Sequence, residues 1–329
     1  MAEAVGALVR GCGVRPPTLR VGELERVAAQ LERHGACIVD GVATSTPADC
    51  EAFCRDARLF EGRGGLRACS DAIPIDGSYF VHASDDFHVH SDAPAYGYRT
   101  PDVVAMFCAA AATTGGETFL VDTHAMLAAL GASPATAWLP RALRTRAVDM
   151  SMAEVPGSGE GCVGPVAIVT QSGELAVRRV PINDSYRPEV TMQPVAGAST
   201  ADAATTARML ALFHAACDAA ATAAPRFRLL PGQALLLANY RVMHGREPFE
   251  GPRLLHRAWI WTARCNGVPE SIQGSFVGTD TVSSILPTTP HAPPRTRVHI
   301  RFLFVRLTVM VCVGCRRMRM VCGSSAAAS

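Results

Sequence analysis

Asp86-Phe-His-Val-His-Ser-Asp92 is the stretch whose conformation decides how the rest of the chain is read. In extended backbone, residues i and i+2 face the same way, so His90 and Asp92 converge on one point, with His88 on that face too if the strand is regular. A third imidazole, His244, stands far downstream in Asn239-Tyr-Arg-Val-Met-His-Gly-Arg-Glu-Pro-Phe249. Two His and one carboxylate on one face of an octahedral ion leave its other positions open to small ligands. A bare His-x-Asp pair also occurs as an ordinary core or surface contact, so the flanking sequence must separate the two readings.

Upstream of that stretch the chain reads as helix, strand, helix. Across residues 22–35, Leu24, Val27, Ala28 and Leu31 recur at helical spacing, and Gly35 falls where a helix stops. Ala36–Asp40 reads as a short buried strand. Thr46 before Pro47 is a cap followed by a first-turn residue, with Cys50, Phe53, Cys54 and Ala57 on one face of the helix that follows. Cys50 and Cys54 at i, i+4 can hold a metal, but buried free thiols are the commoner case. From about Gly77 the texture becomes β-rich, with strands expected at 103–108, 117–121, 166–170, 174–180 and 254–262. Residues 200–222 read as an Ala-rich helix with Leu210, Phe213 and Cys217 inward, stopped by Pro225. Residues 227–230 and 233–238 flank Pro231-Gly232, the order of a type II turn, and are expected to pair tightly.

The order of these pieces resembles the TauD/TfdA-like group of Fe(II)/2-oxoglutarate-dependent dioxygenases, which includes taurine dioxygenase, 2,4-dichlorophenoxyacetate dioxygenase and γ-butyrobetaine hydroxylase. The resemblance runs from about Phe80 to Thr262. It rests on His90-Ser-Asp92 with Pro101-Asp-Val-Val after it, on Gly115-Gly-Glu-Thr118 with Asp122, on Pro231-Gly232, and on His244-Gly-Arg246 with Arg253 and His256-Arg257. It implies a mainly β fold with flanking helices, a double-stranded β-helix or jelly-roll of the clavaminate synthase-like kind. It implies that His90, Asp92 and His244 ligate iron and are the catalytic residues, and that Thr118 and Arg257 bind the distal carboxylate of 2-oxoglutarate. A planar guanidinium makes a bidentate, charge-assisted pair with a carboxylate that Lys makes less well.

Candidate substrate contacts are His88, Arg246, Arg253, Tyr186 and Arg187, with residues 156–165 and 183–187 as a candidate lid between the metal motifs. Gly115-Gly116 and Pro231-Gly232 are expected to make turns, and Gly245 to let the backbone turn after its metal ligand. The implied reaction is hydroxylation or desaturation of a small polar substrate such as an amino acid, a betaine or a related acid, with 2-oxoglutarate and O2 consumed. A zinc-dependent hydrolase using the same His/Asp/His set and a non-catalytic jelly-roll binding module are the alternatives. The first would not need Arg257 or Thr118, and the second would need no intact metal set.

Composition bounds the rest. With 49% hydrophobic and 18% charged residues the 329-residue chain is not mostly disordered. It holds no apolar run of the ~20 residues that a membrane-spanning helix needs. The first residues lack the pattern of a secretory signal, so a cytoplasmic location is expected, a mitochondrial one staying open, with the twelve cysteines as thiols. Every one of the 31 basic residues is Arg; residues 1–290 hold 24 of them against 29 acids, whereas 291–329 hold seven Arg and no acid. A mildly acidic body argues against nucleic acid as a partner. The expected organisation is one dioxygenase domain at 1–266, a Ser/Thr/Pro-rich linker at 267–298, and a poorly ordered, basic apolar tail at 299–329. Cys312-Val-Gly-Cys315 with Cys322 supplies three thiols, one short of a structural zinc site.

Overall fold

In a computed structural model, which describes residues 2–57, 66–72, 87–150, 162–180 and 192–262, two sheets face each other. The large sheet runs in the order Thr18–Arg20, Ala36–Asp40, Gln233–Ala238, Val103–Ala110, Leu254–Ile260, Leu66–Ala72. Only the first of its pairings is parallel. The small sheet runs Gly13–Val14, Thr118–Asp122, Val242–Arg246, Phe87–His90, and is antiparallel throughout. Among the described residues no strand pairing closes one sheet onto the other. The result is the jelly-roll sandwich that the sequence implied, with helices on both outer faces.

Alternation along each strand divides the interior into three layers. Ile38, Val104, Met106, Leu235 and Leu237 of the large sheet meet Leu120 and Val242 of the small one between the sheets. Their neighbours Val39, Ala105, Phe107, Leu236 and Ile260 point outward against Val27, Leu31, Phe53 and Cys54 of the N-terminal helices. Val89, Phe119, Val121 and Met243 point outward from the small sheet into helices that include Ala2–Val9, Thr123–Ala132 and the long Thr200–Ala223. Central strands are therefore apolar on both faces, which is why Val103–Ala110 and Gln233–Ala238 read as continuous apolar runs rather than as alternating ones.

Local signals set the helix ends. The Thr46 hydroxyl accepts the Asp49 N–H at 3.2 Å while the Asp49 carboxylate takes the Thr46 N–H at 2.9 Å, a reciprocal cap on Pro47–Asp56. Ser199 caps the long helix, and Ala224 turns extended ahead of Pro225, as the residue before a proline favours. The first expected helix is shorter than the spacing suggested: Val21–Arg26 is a tight 3-10 segment, kinked at Glu23, and the α-helix proper is Val27–His34.

Further expectations need correction. Residues 227–230 do not pair with 233–238. Both edges of Gln233–Ala238 are already taken by Ala36–Asp40 and Val103–Ala110. The preceding chain instead crosses to the other sheet, where Phe227 exchanges backbone hydrogen bonds with Thr118 at 3.0 and 2.7 Å. The turn itself is present, with Gly232 at φ +84 and the Gln233 N–H bonded to the Leu230 carbonyl. Gly245 does not turn the chain either; it stays inside Val242–Arg246 opposite Phe119, where the register against the His90 strand slips. The last strand ends at Ile260 rather than Thr262.

Gly115 does make the expected turn: it lies at φ +68, and a Cβ there would stand 2.1 Å from the Pro248 carbonyl oxygen, so only glycine fits. Cys50 and Cys54 are buried on the helix-side core beside Phe53, where burial pushes the Cys50 thiol up to about 12. That environment suits an inert core thiol. Residues 267–298 and 299–329, expected as linker and tail and including Cys312, Cys315 and Cys322, lie outside the described residues. No helix among the described residues is long and apolar enough to cross a membrane.

Candidate metal centre

Strand pairing assembles the three expected ligands. His90 closes the strand Phe87–His90 and sits in register with His244 of Val242–Arg246, which places the two imidazoles on the inter-sheet face with ring centroids 4.3 Å apart. Asp92 follows two residues later, and its Oδ1 lies 3.7 Å from His90 Nε2 and 3.9 Å from His244 Nε2. All three side chains are buried, and their ligand atoms lie within 4.8 Å of one another. Among the described residues no other group of three His, Cys, Asp or Glu side chains comes as close.

The protonation states suit metal ligation. The Nδ1–H of His90 donates to the His88 carbonyl at 2.9 Å, which selects the tautomer with a lone pair on Nε2. Burial, reinforced by His90 and Arg257 and opposed by Asp92, pushes His244 down to about 3, so it is neutral at physiological pH. Burial alone would raise the Asp92 carboxyl, but Arg257 and the two imidazoles outweigh it and hold the group well below the usual carboxylate range. An ionised carboxylate and two imidazoles, that of His244 neutral, within reach of one ion fit Fe(II) in the two-His, one-carboxylate arrangement.

Residues around the triad fix it. The Asp92 N–H donates to Asn239 Oδ1 at 3.0 Å, and Asn239 Nδ2 returns to the Asp92 carbonyl at 3.0 Å and the Pro101 carbonyl at 2.8 Å. Arg257 Nη1 lies 3.0 and 3.3 Å from the two Asp92 oxygens, and Trp259 Nε1–H donates to Oδ2 at 2.8 Å. Trp259 thus occupies the oxygen that does not face the imidazoles. Sequence reading missed Trp259 and Asn239. The available signal was alternation, since Leu255 and Trp259 face between the sheets, as Arg257 does in reaching Asp92, while Ala258 and Ile260 face the helices.

The other candidates come from both sheets, Thr118 and Arg246 from the small one and Arg257 from the large one, with Arg253 just ahead of that strand. Thr118 is buried, two residues from the Leu120 that pairs with His244, and stands opposite Arg246. The guanidinium of Arg246 lies 4.7 Å from the Phe249 ring centroid and that of Arg253 5.3 Å from the same ring, so both lie against one aromatic side chain. Burial pushes Arg253 down to about 10, leaving it charged. Thr118, Arg246 and Arg253 therefore gather at one end of the inter-sheet space, and Arg257 lies at the level of the triad. His88 is half-buried and is tied to the triad by its backbone carbonyl. Tyr186 and Arg187, with most of the candidate lid, lie outside the described residues.

A sandwich of this kind, carrying two buried imidazoles on adjoining strands and a carboxylate two residues beyond one of them, offers the donor set that non-haem iron oxygenases use. The profile of the family described as "Taurine catabolism dioxygenase TauD, TfdA family" matches residues 3–259, and the chain belongs to that family of Fe(II)/2-oxoglutarate-dependent dioxygenases. It is 32% identical over 149 residues to a uridine-5'-phosphate dioxygenase of an Amycolatopsis species, a stretch covering 44% of this chain and 48% of the relative. The chain thus matches about half the length of that curated relative. Among solved structures, the PvcB protein of Pseudomonas aeruginosa superposes with a TM-score of 0.49 at 16% identity, covering 74% of this chain and 82% of that one. A taurine dioxygenase of Burkholderia xenovorans gives 0.47 at 15% identity, over 75% and 86%.

Proposed function

We propose that the protein hydroxylates or desaturates a small polar, anion-bearing substrate, with Fe(II) as cofactor and 2-oxoglutarate and O2 as co-substrates. The convergence of His90, Asp92 and His244 is the observation that carries this reading. Those three residues would hold the iron, and Thr118 with Arg257 would take the distal carboxylate of 2-oxoglutarate. Bound iron supplies the oxidising chemistry, in which 2-oxoglutarate leaves as succinate and carbon dioxide. The chain's own part is to ligate, orient and keep water out.

Arg246 and Arg253 on the Phe249 ring offer two cations for an acidic group of the substrate. An amino acid, a betaine or a related acid meets that description. So does a nucleoside monophosphate, which the name of the Amycolatopsis relative brings into the panel. Membership in an oxygenase family favours this reading over a zinc hydrolase or a binding module.

Anaerobic addition of Fe(II) and then 2-oxoglutarate should produce a weak visible charge-transfer band. Admitting air with amino acids, betaines, sulfonates and nucleoside monophosphates in turn should then give substrate-dependent succinate and a product changed by one oxygen or two hydrogens. Absence of the band in folded, metal-loaded protein, or turnover that needs zinc and no 2-oxoglutarate, would overturn the proposal.

A further inference from the structure

Two adjacent arginines, Arg178 and Arg179, are among the most deeply buried large side chains of the described residues, at 1% and 0% exposure. Neither is among the candidate metal, co-substrate or substrate residues. A guanidinium out of water is costly unless its donors are used, and here each arginine places one Nη on the backbone that flanks His90 and Asp92 and its other donors on Pro165, Asp218 and His214. Arg179 Nη1 donates to the Val89 carbonyl at 2.9 Å, its backbone N–H to Ser91 Oγ at 3.0 Å, and its carbonyl accepts the Ser91 N–H at 3.1 Å. Arg178 Nη1 donates to the Pro94 carbonyl at 2.9 Å, and its Nε and Nη2 hold the Pro165 carbonyl at 3.2 and 2.5 Å. The two side chains thus grip residues 89 and 94, on either side of the ligand pair.

The far side of Arg179 is anchored in the long helix, through Nη2 to Asp218 Oδ1 at 2.7 Å and Nε to His214 Nδ1 at 3.2 Å. Only a neutral imidazole accepts that bond, and burial together with Arg179 pushes His214 down to about 3. Directly after Asp92 the chain is forced into the left-handed region at Ala93, φ +54, the one non-glycine residue so placed among those described. Such a conformation persists only where its surroundings over-determine it.

We propose that Arg178 and Arg179, braced by Asp218 and His214, are positioning residues that hold the His90–Asp92 segment in its ligating geometry and so set metal affinity. The inference rests on His90, Asp92 and His244 being the metal ligands. Arginine is required because one planar fork must satisfy a strand carbonyl, an imidazole and a carboxylate at once; Lys supplies charge without that geometry.

The test is Co(II) binding to the full-length apo protein, read by calorimetry and by the visible d–d spectrum, alongside apo-protein melting. Arg179→Lys should bind Co(II) about 10- to 100-fold more weakly than the wild type, with an altered spectrum, the range seen when partners of metal ligands are removed. Phe53→Leu, in the opposite helix layer, should lower the melting temperature yet keep the wild-type affinity and spectrum. If Arg179→Lys fails to fold, Ser91→Ala and the half-exposed Asp218→Asn carry the test, each with weaker binding and a changed spectrum expected. Wild-type affinity and spectrum in the folded variants would overturn the proposal, leaving the ligand assignment intact. A wild type that takes up no Co(II) would overturn both.

Discussion

Arg257→Lys separates two places where the co-substrate's distal carboxylate can be held. Arg257 Nη1 lies 3.0 and 3.3 Å from the two oxygens of Asp92, so this guanidinium is at the triad, while Arg253 sits at the Thr118 end of the same inter-sheet space. If Arg257 takes the carboxylate, as its place thirteen residues after His244 implies, the Lys variant keeps the charge and loses the fork. A charge-assisted hydrogen bond is worth about 1.5–3 kcal/mol, which corresponds to roughly ten- to a hundredfold in binding. Arg257 is also a neighbour of Asp92, so Fe(II) must be saturating and its affinity measured in parallel. The assay is an anaerobic titration of iron-loaded protein with 2-oxoglutarate, followed by the visible charge-transfer band. Arg257→Lys should raise the dissociation constant by that factor, and Arg253→Lys should leave it within about twofold. The reverse pattern would refute the assignment and move the role to Arg253.

Other outcomes follow from the same geometry. His90→Ala, Asp92→Ala and His244→Ala should each abolish 2-oxoglutarate turnover, whereas His88→Ala should be milder, because the His88 contribution to the triad is its carbonyl; equal iron loss in His88→Ala and His90→Ala, measured by metal content, would show that the wrong histidine was chosen. Trp259→Phe keeps an aromatic ring, though a smaller one, and removes the 2.8 Å donor to Asp92 Oδ2. Its Co(II) dissociation constant should rise about tenfold or more, and an unchanged value would deny the indole any part in orienting the carboxylate. Stability should also fall on acidification because of His214, whose native value of about 3 lies below its unfolded value near 6.5. Between those values the unfolded chain binds a proton that the native one does not, so stability present above about pH 6.5 is lost toward pH 3, by up to about 1.4 kcal/mol per pH unit. Denaturant unfolding at pH 7 and pH 4.5 should show a smaller loss in His214→Gln, and identical losses would refute the buried neutral imidazole.

Local rules made part of this molecule legible from its residues. Period-two geometry placed His88, His90 and Asp92 on one face. Thr46 and Pro47 announced a helix start, and Pro225 a helix end, because capping and proline sterics act within a few residues. The order of motifs carried the family. What pairs with what was not legible: central strands buried on both faces lack the alternation that would name a partner, so the neighbours of Gln233–Ala238 emerged only from the assembled sheet. The same holds for the surroundings of the site. Trp259 reaches Asp92, and Arg179 reaches Val89, only because separate strands and the long helix are packed together. Residue type and short-range spacing determined which groups can ligate a metal. Long-range strand pairing, paid in chain entropy and repaid by apolar burial, decided which groups hold those ligands in place.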